Sequence, residues 1–290
     1  MSSNDGQQAA PTAPEELYRR FRHRTKKSLG QHFLIDAQVL HEIVTLADVR
    51  PDDPILEIGP GCGTLTLVLL QRGAVVEAVE LDRRAVQFLK KELEPHFSLT
   101  VHPGSALDVD LEEIFSSTPI PWKVVANLPY NVASKVLFRL FEYREHIDEM
   151  TLMFQREVAD RIVAEPGDSD YGALTLMSRL YSQVHMPMTL PAGAFVPPPK
   201  VRSAIVQFRL IEGTRIDDPT LRKTFEKVVK AAFQHRRKTL ANGLKGLSIE
   251  KQAVESALES MGLKPKIRPQ KLAFEEFLEL TRCLVDGGEI

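Results

Sequence analysis

The chain has 290 residues, of which 43% are hydrophobic and 26% charged, with a net charge of −2 and two cysteines, Cys62 and Cys283. These values exclude a disordered chain, a disulfide framework and a zinc module built on CxxC pairs, and the sequence has no apolar run of about 18 residues that would span a membrane. The length suggests roughly two domains; the polar start without an apolar stretch and the scarcity of cysteine read as a cytoplasmic protein.

In chain order, residues 1–24 are expected to be a disordered basic N-terminal tail, small and polar up to about Pro14. From Asp36, a plausible N-cap, the residues Val39, Leu40, Ile43, Val44 and Ala47 share one helical face. Pro51 and Pro54 break that helix, and Ile55–Ile58 reads as a short buried strand running into Gly59-Pro60-Gly61-Cys62-Gly63. A helix over Thr64–Arg72 ends near Gly73, followed by a strand over Ala74–Val79 and a helix from Arg83 to about Leu93. Further strands are expected at Ser98–Val101, Trp122–Ala126 and Met150–Phe154, with a helix over Val132–Tyr143. Strands alternating with helices predict an α/β fold, a Rossmann-like parallel sheet covered on both faces. Val184–Leu190 and Ala204–Ile211 depart from the alternation and suggest an antiparallel edge. Beyond Glu212-Gly213 only helical spacing remains. The expected division is therefore a sheet domain over 25–212 and a small C-terminal all-helical domain over 213–290.

The charge is unevenly distributed. Eight basic residues lie between Leu221 and Lys245 against Glu226 alone, and Lys264, Lys266, Arg268 and Lys271 form a further cluster. Such blocks bind phosphate backbones even when the chain total is near neutral, although the same pattern suits solvated helix faces. Arg236, Arg237 and Lys238 are the candidate RNA contacts. The scattered histidines give no metal-ligand spacing, so no metal is expected.

The glycine loop lies between a strand and a helix, where ligands of doubly wound sheets bind. Its G-x-G-x-G spacing differs from the dinucleotide pattern, and the Gly-Lys-Ser/Thr of a P-loop is absent. S-adenosylmethionine carries no phosphate. It needs close backbone approach and a carboxylate for the ribose, which Glu80 at the end of the second strand offers. A tight structural turn is the competing reading of the loop, and Cys62 within it reads as a packing residue.

Asn127-Leu128-Pro129-Tyr130 ends the fourth strand. An exocyclic aromatic amine is a poor nucleophile because its lone pair is delocalised. The Asn127 side-chain carbonyl and the Leu128 main-chain carbonyl can hold its two hydrogens and aim the lone pair at a sulfonium methyl. Pro129 stiffens the turn, and Tyr130 offers a stacking face worth roughly 1–3 kcal/mol per base.

These motifs, with Lys27-Ser28-Leu29-Gly30-Gln31-His32-Phe33-Leu34 and Phe195-x-Pro197-x-Pro199-x-Val201-x-Ser203, occur in an order that resembles the ribosomal RNA adenine dimethyltransferases, most of all their bacterial small-subunit branch. The resemblance runs from about Arg24 nearly to the end. It implies a class I methyltransferase that transfers four methyl groups from S-adenosylmethionine to N6 of two adjacent adenosines near the 3′ end of 16S rRNA. It also implies a role in late assembly of the small subunit, as a monomer. By position, it implies cofactor contacts at His32, Leu34, Gly59, Gly61, Glu80, Ser105 and Asn127, and a second ring against the target base at Phe195. Two positions depart from the family pattern: His32 stands where Asn is usual, and Ser105 where Asp is usual. The rival readings are a large-subunit dimethyltransferase, against which Arg236-Arg237-Lys238-Thr239-Leu240 speaks, and a non-catalytic assembly factor.

Overall fold

The computed structural model describes residues 10–21, 32–118, 121–235 and 238–290. Its first element is a helix, α1 (Pro14–Phe21), inside the segment expected to be a disordered tail. The helix forms because Pro14 presets the first turn, Glu15 and Glu16 face the positive end of the dipole, and Arg19 and Arg20 face the negative end. Leu17 and Phe21 bury its apolar side, and Arg20 pairs with Glu92 at 2.9 Å. The basic residues from Arg22 to Lys27 lie outside the described residues.

A two-residue strand, β1 (Phe33–Leu34), precedes α2 (Ala37–Leu46). Asp36 caps α2, accepting the Val39 amide at 3.2 Å. Next come β2 (Pro54–Ile58), α3 (Thr64–Gln71), β3 (Val75–Glu80), α4 (Arg83–Glu92) and β4 (Leu99–Pro103). They are followed by α5 (Leu111–Phe115), β5 (Trp122–Asn127), α6 (Ala133–Glu142) and β6 (Ile147–Gln155). β2 is buried along its whole length, as expected of a central parallel strand covered on both faces. Beyond β6 lie α7 (Arg156–Val163), α8 (Ala173–Tyr181), β7 (Ser182–Leu190), β8 (Phe195–Val196) and β9 (Ser203–Leu210).

The main sheet has seven strands in the order β4-β3-β2-β5-β6-β9-β7. β4, β3, β2, β5 and β6 run parallel, and β9 pairs antiparallel with β6, Gln155 opposite Ser203. The order reverses between β3–β2 and β2–β5, so the carboxyl end of β2 is the switch point where a ligand cleft opens. Separately, β1 pairs antiparallel with β8, Phe33 opposite Val196 and Leu34 opposite Phe195.

The chain divides into two compact units. The first runs to Arg156 and resumes over Met186–Leu210; the second comprises Glu157–His185 and Ile211–Ile290. A single cut after residue 212 therefore misassigns α7 and α8, which belong to the second unit. That unit also holds α9 (Pro219–Gln234), α10 (Leu240–Gly243), α11 (Lys251–Ser260) and α12 (Phe274–Asp286). Its core centres on Phe225 against Phe274, with ring centroids 5.0 Å apart, and on Phe233 against Phe277 at 5.8 Å. Lys238 is exposed there, whereas Arg236 and Arg237 lie outside the described residues.

Candidate cofactor cleft and reaction site

The glycine loop turns sharply at the end of β2. Gly61 has φ +60°, and a Cβ there would lie 2.8 Å from the Phe33 ring, so only glycine fits. The turn directs the Gly61 amide to Glu80 Oε2 at 2.9 Å, while Glu80 Oε1 accepts the Asp82 amide at 2.6 Å. Glu80 is buried; desolvation raises its pKa, and the two amides pull against that rise. Glu57, two residues before Gly59, is buried too, and its Oε2 has no hydrogen-bond partner. Burial, reinforced by the charge of Glu80, pushes the Glu57 carboxyl up to about 8. Cys62 packs with Phe21, Phe33 and Ala85, and burial pushes its thiol up to about 12. It is a protonated packing residue.

The Asn127-Leu128-Pro129-Tyr130 turn forms the facing wall. Asn127 ends β5, and its Nδ2 donates to the His32 carbonyl at 3.2 Å. The Tyr130 ring stacks on the His32 ring, centroids 5.7 Å apart and planes at 29°. Its hydroxyl is hydrogen-bonded to Ser203 Oγ at 2.6 Å. His32 Nδ1 lies 2.8 Å from the Pro197 carbonyl, an acceptor, so that nitrogen carries the hydrogen. Leu34 presents its carbonyl to Thr64 Oγ1 at 2.7 Å, and Ser105 Oγ accepts the Leu107 amide at 3.1 Å.

One cleft brings together His32, Leu34, Gly59, Gly61, Glu80, Ser105 and the whole turn from Asn127 to Tyr130. Phe195 is not among its lining residues. It is 1% exposed, within the core cluster that contains Leu34, Leu190 and Ile205. The expectation of a second ring against the base is corrected for this conformation. Pairing with β1 sets the strand alternation so that Phe195 points inward, and the ring beside Tyr130 is that of His32. Sequence reasoning also passed over Glu57 and Ser203. An acidic residue just ahead of a glycine loop was an available signal for Glu57; Ser203 closes the motif that begins at Phe195, but its contact with Tyr130 is long-range and the motif does not show it. Among the described residues, no group of three metal-ligating side chains is placed to hold an ion, and no helix is long and apolar enough to cross a membrane.

The site fits S-adenosylmethionine on its own chemistry. A phosphate-binding loop offers free amides to an anion; here the Gly61 amide is already given to the Glu80 carboxylate, and Glu57, the other acid beside the turn, is held protonated by burial. Such a site gives a phosphate no free Gly61 amide and suits a ligand with hydroxyls. Glu80 retains lone pairs for a ribose diol, and Glu57 has an unused buried oxygen.

Strand order, acid-flanked glycine loop and the Asn-Leu-Pro-Tyr turn define an S-adenosylmethionine-dependent class I methyltransferase. The family described as "Ribosomal RNA adenine dimethylase" matches residues 22–286. The chain belongs to that family and is an rRNA adenine dimethyltransferase. It is 42% identical over 272 residues to the "Ribosomal RNA small subunit methyltransferase A" of Chromobacterium violaceum, covering 92% of this chain and 98% of the relative. Among solved structures it is similar to a dimethyladenosine transferase from Plasmodium falciparum, with TM-score 0.74 and 28% identity over 89% of this chain and 99% of the other. It is also similar to the 23S rRNA methyltransferase ErmE, with TM-score 0.68 and 26% identity over 87% of this chain and 99% of the other.

Proposed function

We propose that the protein dimethylates N6 of two adjacent adenosines near the 3′ end of 16S rRNA during late assembly of the small ribosomal subunit, acting as a monomer. The observation that carries the chemistry is the orientation of Asn127. One of its amide hydrogens is given to the His32 carbonyl, which sets the orientation of the amide and leaves its Oδ1 as the acceptor for an amine hydrogen. The small-subunit target is supported by the relative from Chromobacterium violaceum and its higher identity than that of ErmE.

When bound, S-adenosylmethionine supplies an electrophilic methyl group on a sulfonium. The glycine loop gives close backbone approach at Gly59 and Gly61, and Glu80 accepts from the ribose hydroxyls. His32, Leu34, Ser105 and Asn127 complete the cofactor contacts, with Ser105 reaching the adenine less directly than a carboxylate would. In the first transfer Asn127 Oδ1 and the Leu128 carbonyl each accept one N6 hydrogen, which draws the nitrogen towards tetrahedral geometry; in the second, the single remaining hydrogen is held by one of them. Pro129 holds that turn and Tyr130 stacks on the base. The extrusion of an adenosine costs a few kcal/mol, offset in part by this stacking. No strong base is required, because the proton becomes acidic once nitrogen carries positive charge. Orientation of two bound reactants is the main contribution to rate. Arg236, Arg237 and Lys238 contact RNA backbone and read its shape over its sequence.

The test is incubation with undermethylated small subunits, and separately with large subunits, using labelled cofactor and mass spectrometry of the rRNA fragments. Dimethylation of two neighbouring adenosines in the 16S 3′ fragment is expected. Label in 23S rRNA would transfer the protein to the large-subunit branch, and no label in either would leave only an assembly role.

A further inference from the structure

We propose that Ser203 is a positioning residue for methyl transfer: its hydroxyl, carried on β9, fixes the Tyr130 ring on which the acceptor base stacks. The inference rests on the reading of Tyr130 as that stacking face. Tyr130 lies in a turn after β5, on no regular element, and its ring is only partly buried. Left to itself, such a ring samples several orientations. Ser203 is 0% exposed and sits opposite Gln155 in the β6–β9 ladder, so its backbone is fixed by the main sheet. The 2.6 Å hydrogen bond between the two hydroxyls transfers that rigidity to the far end of the ring.

A second contact makes the arrangement a bracket. The chain from Pro197 to Arg202 links β8 to β9. One end holds His32 through the Pro197 carbonyl, the other holds Tyr130 through Ser203, and the two held rings stack on each other. With centroids 5.7 Å apart there is no room for a base between them, which needs about twice the stacking distance. The base therefore meets the other face of Tyr130, whose tilt Ser203 controls. A small tilt moves the acceptor nitrogen out of line, and misplacement on that scale is expensive in rate.

The test uses the full chain with Ser203→Ala, Tyr130→Phe, the double variant and Tyr130→Ala. Each loss of the hydrogen bond is expected to lower kcat roughly five- to fifty-fold, with RNA KM and the Kd for S-adenosylhomocysteine within about two-fold of the parent by the same standard. The double variant should be no slower than the slower single variant, because both changes remove one contact. A parental kcat in Ser203→Ala, additive losses, or a matching loss of cofactor affinity would overturn the proposal. Should Ser203→Ala fail to fold, Tyr130→Phe removes the same bond without emptying the core, and a parental kcat there overturns it equally. Tyr130→Ala separates the two ideas: if it alone is slow, the stacking face stands and the role of Ser203 falls; if it keeps parental turnover, the stacking reading falls first.

Discussion

Asn127 and His32 are joined across the cleft by a 3.2 Å hydrogen bond from the Asn127 Nδ2 to the His32 main-chain carbonyl. The bond sets which way the amide is turned. Asn127→Asp puts a carboxylate against that carbonyl and loses the donor. Single-turnover methylation should slow by about two orders of magnitude, the scale seen when one preorganised polar contact is removed. A parental rate would show that amide orientation is immaterial.

Ser105 spends its hydroxyl oxygen on the Leu107 amide, so it caps its own turn. Ser105→Asp keeps an acceptor for that amide and adds a second oxygen for the cofactor's adenine amine. Calorimetry should show affinity for S-adenosylhomocysteine rising about five- to ten-fold, as one net hydrogen bond of about 1 kcal/mol provides. Unchanged or weaker binding would count against the contact.

Glu57 gives a pH signature. Its carboxyl is neutral in the folded protein up to about 8, whereas an unfolded chain ionises it near the ordinary value of 4.5. Between those values the folded state holds the extra proton, so stability falls as pH rises through the window and levels off above it. Glu57→Gln cannot ionise. Its melting temperature should gain on that of the parent from about pH 5 to pH 8, and a constant difference across that range would sink the assignment.

Phe195→Ala is expected to act on stability. Emptying a fully buried aromatic site costs roughly 3–5 kcal/mol, seen as a lower urea midpoint, while Phe195→Leu should cost far less. Slow turnover with unaltered stability would mean instead that the ring leaves the core during the reaction.

The cleft was legible because its signals are local. The glycine loop, Glu80 and the Asn127–Tyr130 turn each sit at the end of a strand whose burial pattern is visible in a few residues. Phe195 misled for an equally physical reason. Its neighbours Pro197, Pro198 and Pro199 mark an exposed loop, and the pairing with β1 that turns its ring inward spans most of the chain. β1 and β8, two residues each, are too short to show periodicity. α1 was hidden by the surrounding charge, and α7 and α8, eight and nine residues long, are too short to give a sustained helical period between the strands that flank them. The position of β9 between β6 and β7 is a matter of topology, which no local pattern encodes.

The small ladder between β1 and β8 has a practical consequence. Shortening the front of the chain through Leu34 would strip one wall from the cofactor cleft and also deprive β8 of its only neighbour in that two-stranded sheet. Cofactor affinity and the attitude of the proline loop would suffer together. Variants trimmed to begin beyond β1 therefore make poor proxies for the enzyme.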